Sequence, residues 1–289
     1  MTAQSPAQAP IPIIESIAPL AQGTRAWLVD IWGVMHNGVR PFDAACEACT
    51  RYREGGGLVI LISNSPRPRD SVAEQLAHIG VPRASWDVIV TSGDVARSLI
   101  GTYTGRPVVH IGPERDLPIF ANTNVERVGP DRGDAVVCTG LFDDETEMPD
   151  DYKDLLSQCL ARELPMICAN PDISVERGGR LIYCAGAIAR AYAEMGGDVA
   201  YAGKPYRPIY KLAFETLELL RPGSSDRAHL LAIGDGVHTD IAGAAAAGVR
   251  SVFIASGVHV QGGLDAAALA ALFPAGKTGP IAAMTGLSW

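Results

Sequence analysis

The sequence predicts an α/β protein built on a parallel sheet with helices over both faces. Short apolar runs of strand length alternate with segments of helical periodicity along most of the 289 residues. The runs are apolar at consecutive positions rather than at every second one, the pattern of strands buried on both faces. Polar residues and glycines follow several runs directly, as in βαβ units whose strand ends open onto a crevice.

The elements are read in order. "AWLVDIW" is a strand, and a helix follows from about Asp43 to Glu54. "GGLVILISNS", the helix "RDSVAEQLAHIG", "WDVIVTS" and the helix "GDVARSLIG" repeat the alternation. The middle continues with "RPVVHIG", "DAVVCTGLF", the helix "YKDLLSQCLARE", "LPMICAN" and the helix "YCAGAIARAYAEMGG". Then come "DVAYAGKP", the helix "RPIYKLAFETLELL", "HLLAIGDG", the helix "TDIAGAAAAG" and a strand "RSVFIAS". The Ala-rich tail is expected as an amphipathic helix and an extended end packed on the core. No solenoid-period repeat is visible.

With 47% apolar and 19% charged residues the chain reads as globular, and its length suits two lobes. A net charge of -8 without any Lys/Arg stripe argues against nucleic acid. The stretch before Arg25 has no basic leader and only Pro-broken apolar pieces, so neither a secretory signal nor a membrane span is expected. It reads as a partly ordered arm of a cytoplasmic protein. Six cysteines suggest reduced thiols. Cys46 and Cys49 form a CxxC, but no second pair accompanies it, and helical spacing puts two small apolar side chains on one face. "DDETEMPDD" reads as a solvated loop leading into a helix.

Four strand ends carry candidate chemistry. Asp30 closes the first run, and Ser63 and Asn64 close the second. Lys204 follows "VAYAG", and Asp235 follows "LLAIG" with Asp240 at the next helix start. Singly, each is an ordinary cap or turn residue. Together, the carboxylates form a hard oxygen site suited to Mg²⁺, and a lysine and a hydroxyl supply charge and donors for phosphate. Asp30 could then attack phosphorus to give an aspartyl-phosphate.

These motifs, "DIWGV", "ISNS", "GKP" and "GDGVHTD", resemble the haloacid dehalogenase (HAD) superfamily of mostly Mg²⁺-dependent phosphatases. "GKPYRPIY", "TSGDVA" and "ANPD" are similar to class IIA, the NagD-like and p-nitrophenylphosphatase-like branch. The resemblance runs from about Trp27 to Gly257. It implies a Rossmann-like core of the HAD type with an inserted α/β cap: an arm at 1–23, a core at 24–87 and 200–289, and a cap at 88–199. It further implies that Asp30 is the nucleophile, and that its carboxylate, the Trp32 main-chain carbonyl and Asp235 ligate Mg²⁺. Asp240 would orient the metal's water shell. Ser63 and the Asn64 amide would bind the transferring phosphate, Lys204 would tie that phosphate to Asp30, and Asn170 and Asp172 would lie near the substrate-facing loop. The substrate would be a small phosphorylated metabolite, and class IIA relatives suggest a homodimer through the cap.

The chain departs from the family's D-x-D-G pattern, because Trp32 stands where the second Asp serves as acid/base. A positioned acid or base is worth about 10²- to 10⁴-fold in rate. Three readings follow: a phosphatase of substrates with good leaving groups or with His36 or His238 assisting; a hydrolase of another bond, dehalogenase- or phosphonatase-like; or a weakly active or non-catalytic binder of a phospholigand. Asp235 and Asp240 argue against a metal-free dehalogenase. Lys153, embedded in acids, is an unpromising Schiff-base nucleophile.

Overall fold

The computed structural model describes residues 10–177, 180–255, 263–274, 276 and 278–289. The first nine residues of the expected arm and the 256–257 end of the family-like stretch lie outside them. The strands are β1 (Ala26–Asp30), β2 (Leu58–Ser63), β3 (Val88–Thr91), β4 (Pro107–Ile111), β5 (Glu126–Val128), β6 (Val136–Cys138), β7 (Met166–Cys168), β8 (Ser174–Arg177), β9 (Arg180–Tyr183), β10 (Val199–Tyr201), β11 (Leu230–Gly234), β12 (Arg250–Ile254) and β13 (Ala282–Met284). By packing, the chain divides into two compact units: Met1–Leu61, Gly80–Val88 and Leu217–Trp289 form the first, and Ile62–Ile79 and Ile89–Thr216 the second.

In the first unit the sheet order is β13-β12-β11-β1-β2-β3, with the unit limits falling inside β2 and β3. β1 pairs with β11, β11 with β12 and β12 with β13, all parallel. Every residue of β1 is buried, as is every residue of β11, so the continuous apolar runs are explained by helices on both faces. The helix Asp43–Glu54 buries Ala45, Cys46, Ala48, Cys49 and Tyr52. Tyr52 stacks on Trp27 at 3.9 Å between ring centroids. The CxxC is therefore core: burial raises the Cys46 thiol to about 11 and pushes Cys49 up as well, which removes the thiolate that metal binding or redox chemistry requires.

The arm and the tail meet. The Ala283 amide donates to Pro12 O at 2.9 Å, and the Ile14 amide to Ala283 O at 2.9 Å, which adds the arm as an extension beside β13. The tail helix Ala266–Leu272 places Leu269 in a cluster with Ile241, Phe253, Phe273 and Ala283.

The second unit holds a five-stranded sheet, β10-β7-β6-β4-β5, parallel throughout. Its core packs the helices Lys153–Ala161 and Ala185–Glu194 against Ile111, Val136, Cys138, Met166 and Cys168. β5 and the antiparallel β8–β9 hairpin were not legible beforehand. They are short and mostly exposed, so their residues lack the apolar run that marks a buried strand. The acidic loop is pinned to this unit: Arg177 and Arg115 both reach the Asp144 carboxylate, and Arg180 reaches Glu145 at 2.8 Å. Among the described residues no helix is long and apolar enough to cross a membrane.

Candidate active site

In the first unit, β1 ends on Asp30, β11 ends on Gly234 just before Asp235, and a π-helical turn, Val237–Ile241, carries Asp240. Because β1 and β11 are adjacent and parallel, their carboxyl ends deliver the acids to one place. Among the described residues, Asp30, Asp235 and Asp240 each offer a carboxylate oxygen, and these oxygens all lie within 4.8 Å of one another. Asp30 and Asp240 are buried, at 7% and 5% exposure. At an effective dielectric of about 20, two carboxylates so close repel by roughly 3 kcal/mol, so a divalent cation is the natural counter-charge. Three hard oxygen donors fit Mg²⁺ or Ca²⁺ in their ligand chemistry.

Glycines make this clustering sterically feasible. Gly33 has φ +83°, and a β-carbon there would stand 2.1 Å from Asp235 Oδ2. A β-carbon on Gly234 would stand 2.3 Å from Asp240 Cγ. The Gly236 amide donates to Asp240 Oδ2 at 3.1 Å and fixes that carboxylate. The glycines of "DIWGV" and "GDG" thus serve close approach of backbone to acid.

Trp32 follows in a tight loop, where the Gly33 amide donates to His36 O and the Met35 amide to Ile31 O. The indole turns onto that loop. It meets the His36 ring edge-on at 5.3 Å, and a β-carbon on Gly38 would lie 2.5 Å from its Cη2. His36 is buried, its Nδ1 accepts from the Gly38 amide at 2.8 Å, and burial lowers its pKa to about 4. The imidazole is therefore neutral near pH 7, with Nδ1 committed, which makes it a poor replacement for a protonated acid. His238 lies on the π-helical turn and is exposed.

In the second unit, Ser63 ends β2, and its Oγ accepts from the Ser65 amide at 3.1 Å. The Gly93 amide donates to Ser65 O at 3.0 Å, and a β-carbon on Gly93 would stand 2.3 Å from Pro66 O. "TSGD" is thus architecture: Thr91 and Asp94 form a capping box that starts the helix Ser92–Gly101, and Gly93 lets it abut the 65–67 loop. Asn64 bonds Lys204 and Asp172. Its Oδ1 accepts from the Lys204 amide at 2.7 Å, and its Nδ2 donates to Asp172 Oδ1 at 2.8 Å and Lys204 O at 3.1 Å. Lys204 Nζ donates to Ile62 O at 3.2 Å. Asn170 Oδ1 accepts from the Asp172 amide at 3.0 Å, closing an Asx turn at "NPD".

The structure thus gathers Asp30, Asp235 and Asp240 in one unit, and Asn64, Asn170, Asp172 and Lys204 in the other. Sequence reasoning missed Asp116. This acid is 3% exposed near Arg67, Arg115 and Thr139, and burial raises its pKa to about 6. It sits in "PERDLP", outside the apolar runs; an acid beside Arg115 in a Pro-flanked stretch was the available signal.

A model of haloacid dehalogenase-like hydrolases matches residues 27–126, and a second, HAD-hydrolase-like model matches residues 201–274. A haloacid dehalogenase-like hydrolase from Brucella suis is 45% identical, covers 95% of this chain and 100% of its own, and superposes with a TM-score of 0.85. A D-glycerol 3-phosphate phosphatase from Mycobacterium tuberculosis is 29% identical over 248 residues, 83% of this chain, which spans 65% of that protein's length. The 5'-nucleotidase YutF of Bacillus subtilis is 25% identical over 238 residues, covering 81% of this chain and 88% of its own.

Proposed function

Because the chain belongs to the haloacid dehalogenase-like hydrolase family, in its class IIA branch, we propose that it is a Mg²⁺-dependent phosphatase of a small phosphorylated metabolite. The observation that carries the reading is the meeting of Asp30, Asp235 and Asp240 oxygens within 4.8 Å. Two relatives named for phosphomonoester hydrolysis support the reaction class. Residues 88–199, which contain most of the five-stranded sheet, would be the cap.

Asp30 is the nucleophile: a carboxylate oxygen attacks phosphorus, the ester oxygen departs with the alcohol, and water then cleaves the aspartyl-phosphate. Asp30, Asp235 and the Trp32 carbonyl would hold Mg²⁺, with Asp240 orienting its water shell; the bound ion would supply neutralising charge to the phosphoryl oxygens. Ser63 and the Asn64 amide donate to the phosphate, and the Lys204 ammonium balances its charge. Trp32 provides no proton, so the leaving group departs as an oxyanion that takes its proton from solvent. That favours substrates whose leaving groups are already weak bases.

The test is phosphate release from p-nitrophenyl phosphate and a phosphometabolite panel, with and without Mg²⁺. The expected result is metal-dependent release abolished by Asp30→Asn. Undiminished release in that variant would sink the assignment of the nucleophile, and phosphate binding without release would favour a phospholigand-binding protein.

A further inference from the structure

We propose that the Asn64 side chain is a positioning group that couples the Asn170–Asp172 loop to Lys204. The inference rests on the phosphatase reading, in which Lys204 faces the phosphate.

The argument starts from valence. A carboxamide has two N–H donors and one carbonyl oxygen. In Asn64 both donors are engaged, one by Asp172 Oδ1 at 2.8 Å and one by Lys204 O at 3.1 Å, and the oxygen accepts from the Lys204 amide at 2.7 Å. The orientation of the amide is dictated by the backbone, since a flip would set N–H against the Lys204 amide and oxygen against the Lys204 carbonyl. Asn64 is 5% exposed and its donors are used, so its side chain has no donor to offer a substrate. Its work is done on the protein.

That work is specific. One amide grips both backbone groups of Lys204, and the lysine's own tip donates to Ile62 O at 3.2 Å. Segment 62–64 therefore holds Lys204 at both ends of a side chain that is 2% exposed. Gly203 is required for the grip: a β-carbon there would stand 2.4 Å from Asn64 Oδ1 and 2.7 Å from Pro171 Cδ. The third bond runs to Asp172, whose loop is set by its Asx turn and whose helix, Ala185–Glu194, starts flush against it. A β-carbon on Gly186 would stand 2.2 Å from Pro171 O. A displacement of Asp172 is thus handed to Lys204 through one buried amide, and the loop expected to read the leaving group tunes the residue expected to hold the phosphate. Buried networks of this kind are worth more than their separate bonds.

The experiment is a double-mutant cycle with three readouts: steady-state kinetics on p-nitrophenyl phosphate, the inhibition constant of inorganic phosphate, and the Mg²⁺ concentration giving half activity. Asn64→Ala is expected to raise the phosphate inhibition constant about tenfold and to lower kcat/KM, leaving the Mg²⁺ midpoint unchanged. Asp172→Leu removes the acceptor for Asn64 Nδ2 and reproduces part of the Asn64→Ala defect in the phosphate inhibition constant. The pair Asn64→Ala with Asp172→Leu is no worse than Asn64→Ala alone. Asn64→Asp is the second variant should Asn64→Ala fail to fold: it keeps the acceptor for the Lys204 amide but sets an oxygen against Asp172 Oδ1 and Lys204 O, so it is expected to raise the phosphate inhibition constant at least as much as Asn64→Ala. Wild-type phosphate inhibition in either Asn64 variant, or additive effects in the cycle, would overturn the coupling. Absence of phosphatase activity in the wild-type protein itself would overturn the underlying reading, a result the variants cannot mimic.

Discussion

Gly33 and Asp235 occupy adjoining space that admits no side chain on residue 33: a β-carbon would stand 2.1 Å from Asp235 Oδ2, and φ at Gly33 is +83°. Gly33→Ala therefore displaces the carboxylate and strains the loop together. The expected outcome is a loss of about 10²-fold in kcat/KM with a raised Mg²⁺ requirement, from the displacement of a ligand by an ångström or so. An alanine variant with the wild-type Mg²⁺ titration would show that Asp235 does not hold the metal.

Crowding of Asp30, Asp235 and Asp240 within 4.8 Å means that a bound divalent cation stabilises the fold. At a Mg²⁺ concentration of about 100 Kd the stabilisation is about 2.7 kcal/mol, or a rise in Tm of roughly 5–10 °C for a chain of this size. Differential scanning fluorimetry with EDTA, Mg²⁺ and Ca²⁺ measures it. Asp235→Asn should remove most of the metal response while raising Tm in EDTA, because it relieves repulsion; a metal response that survives in this variant would place the ion elsewhere.

The indole of Trp32 packs on Gly38 and on the edge of His36, so it fills its loop rather than being a bare vacancy of the acid. Trp32→Asp restores a carboxyl and removes that packing. Turnover of alkyl phosphates, whose leaving groups need a proton, is expected to rise at least about tenfold, while p-nitrophenyl phosphate changes little. The lost contact should lower stability by about 1–3 kcal/mol, which Trp32→Phe controls for. A fall with both substrate types would instead assign the indole a role in substrate contact.

Asp116 gives a pH signature. Its folded pKa is raised to about 6 by burial, above the ordinary carboxylate value, so the folded state binds this proton more tightly than the unfolded chain. Its contribution to stability is fully present below about pH 4 and is lost as pH rises through about 6. Urea unfolding between pH 4 and 7 should show this decline superposed on the other groups, and Asp116→Asn should lack it. An unchanged slope in the variant would mean that Asp116 is ionised throughout.

Much of the architecture was legible because buried parallel strands must be apolar on both faces. The runs at residues 26–30, 58–63 and 230–234 could be little else. The helix expected from about Asp43 to Glu54 is found at Asp43–Glu54, with an acid in its first turn and Gly55 after its last residue. β5 and the β8–β9 hairpin were not, because exposed strands draw their stability from neighbours rather than from their own apolar content. Asn64 was read for its backbone amide alone; nothing local says that its side chain is spent on residues 108 and 140 positions away.

Residue order alone determined the fold class and the chemical types available: an acid closing one strand and another following a second, a lysine after a third, and a tryptophan where the D-x-D-G pattern that the first motif resembles has its second acid. The fold class follows from apolar periodicity along the chain, and the family resemblance from four short motifs and their order. Only the tertiary structure decided that Asp30, Asp235 and Asp240 share one cluster, that Gly33 and Gly203 are demanded by a neighbour's side chain, and that His36 is neutral and committed. Such outcomes depend on contacts between residues far apart in sequence, where sterics and burial act at distances that local pattern does not encode.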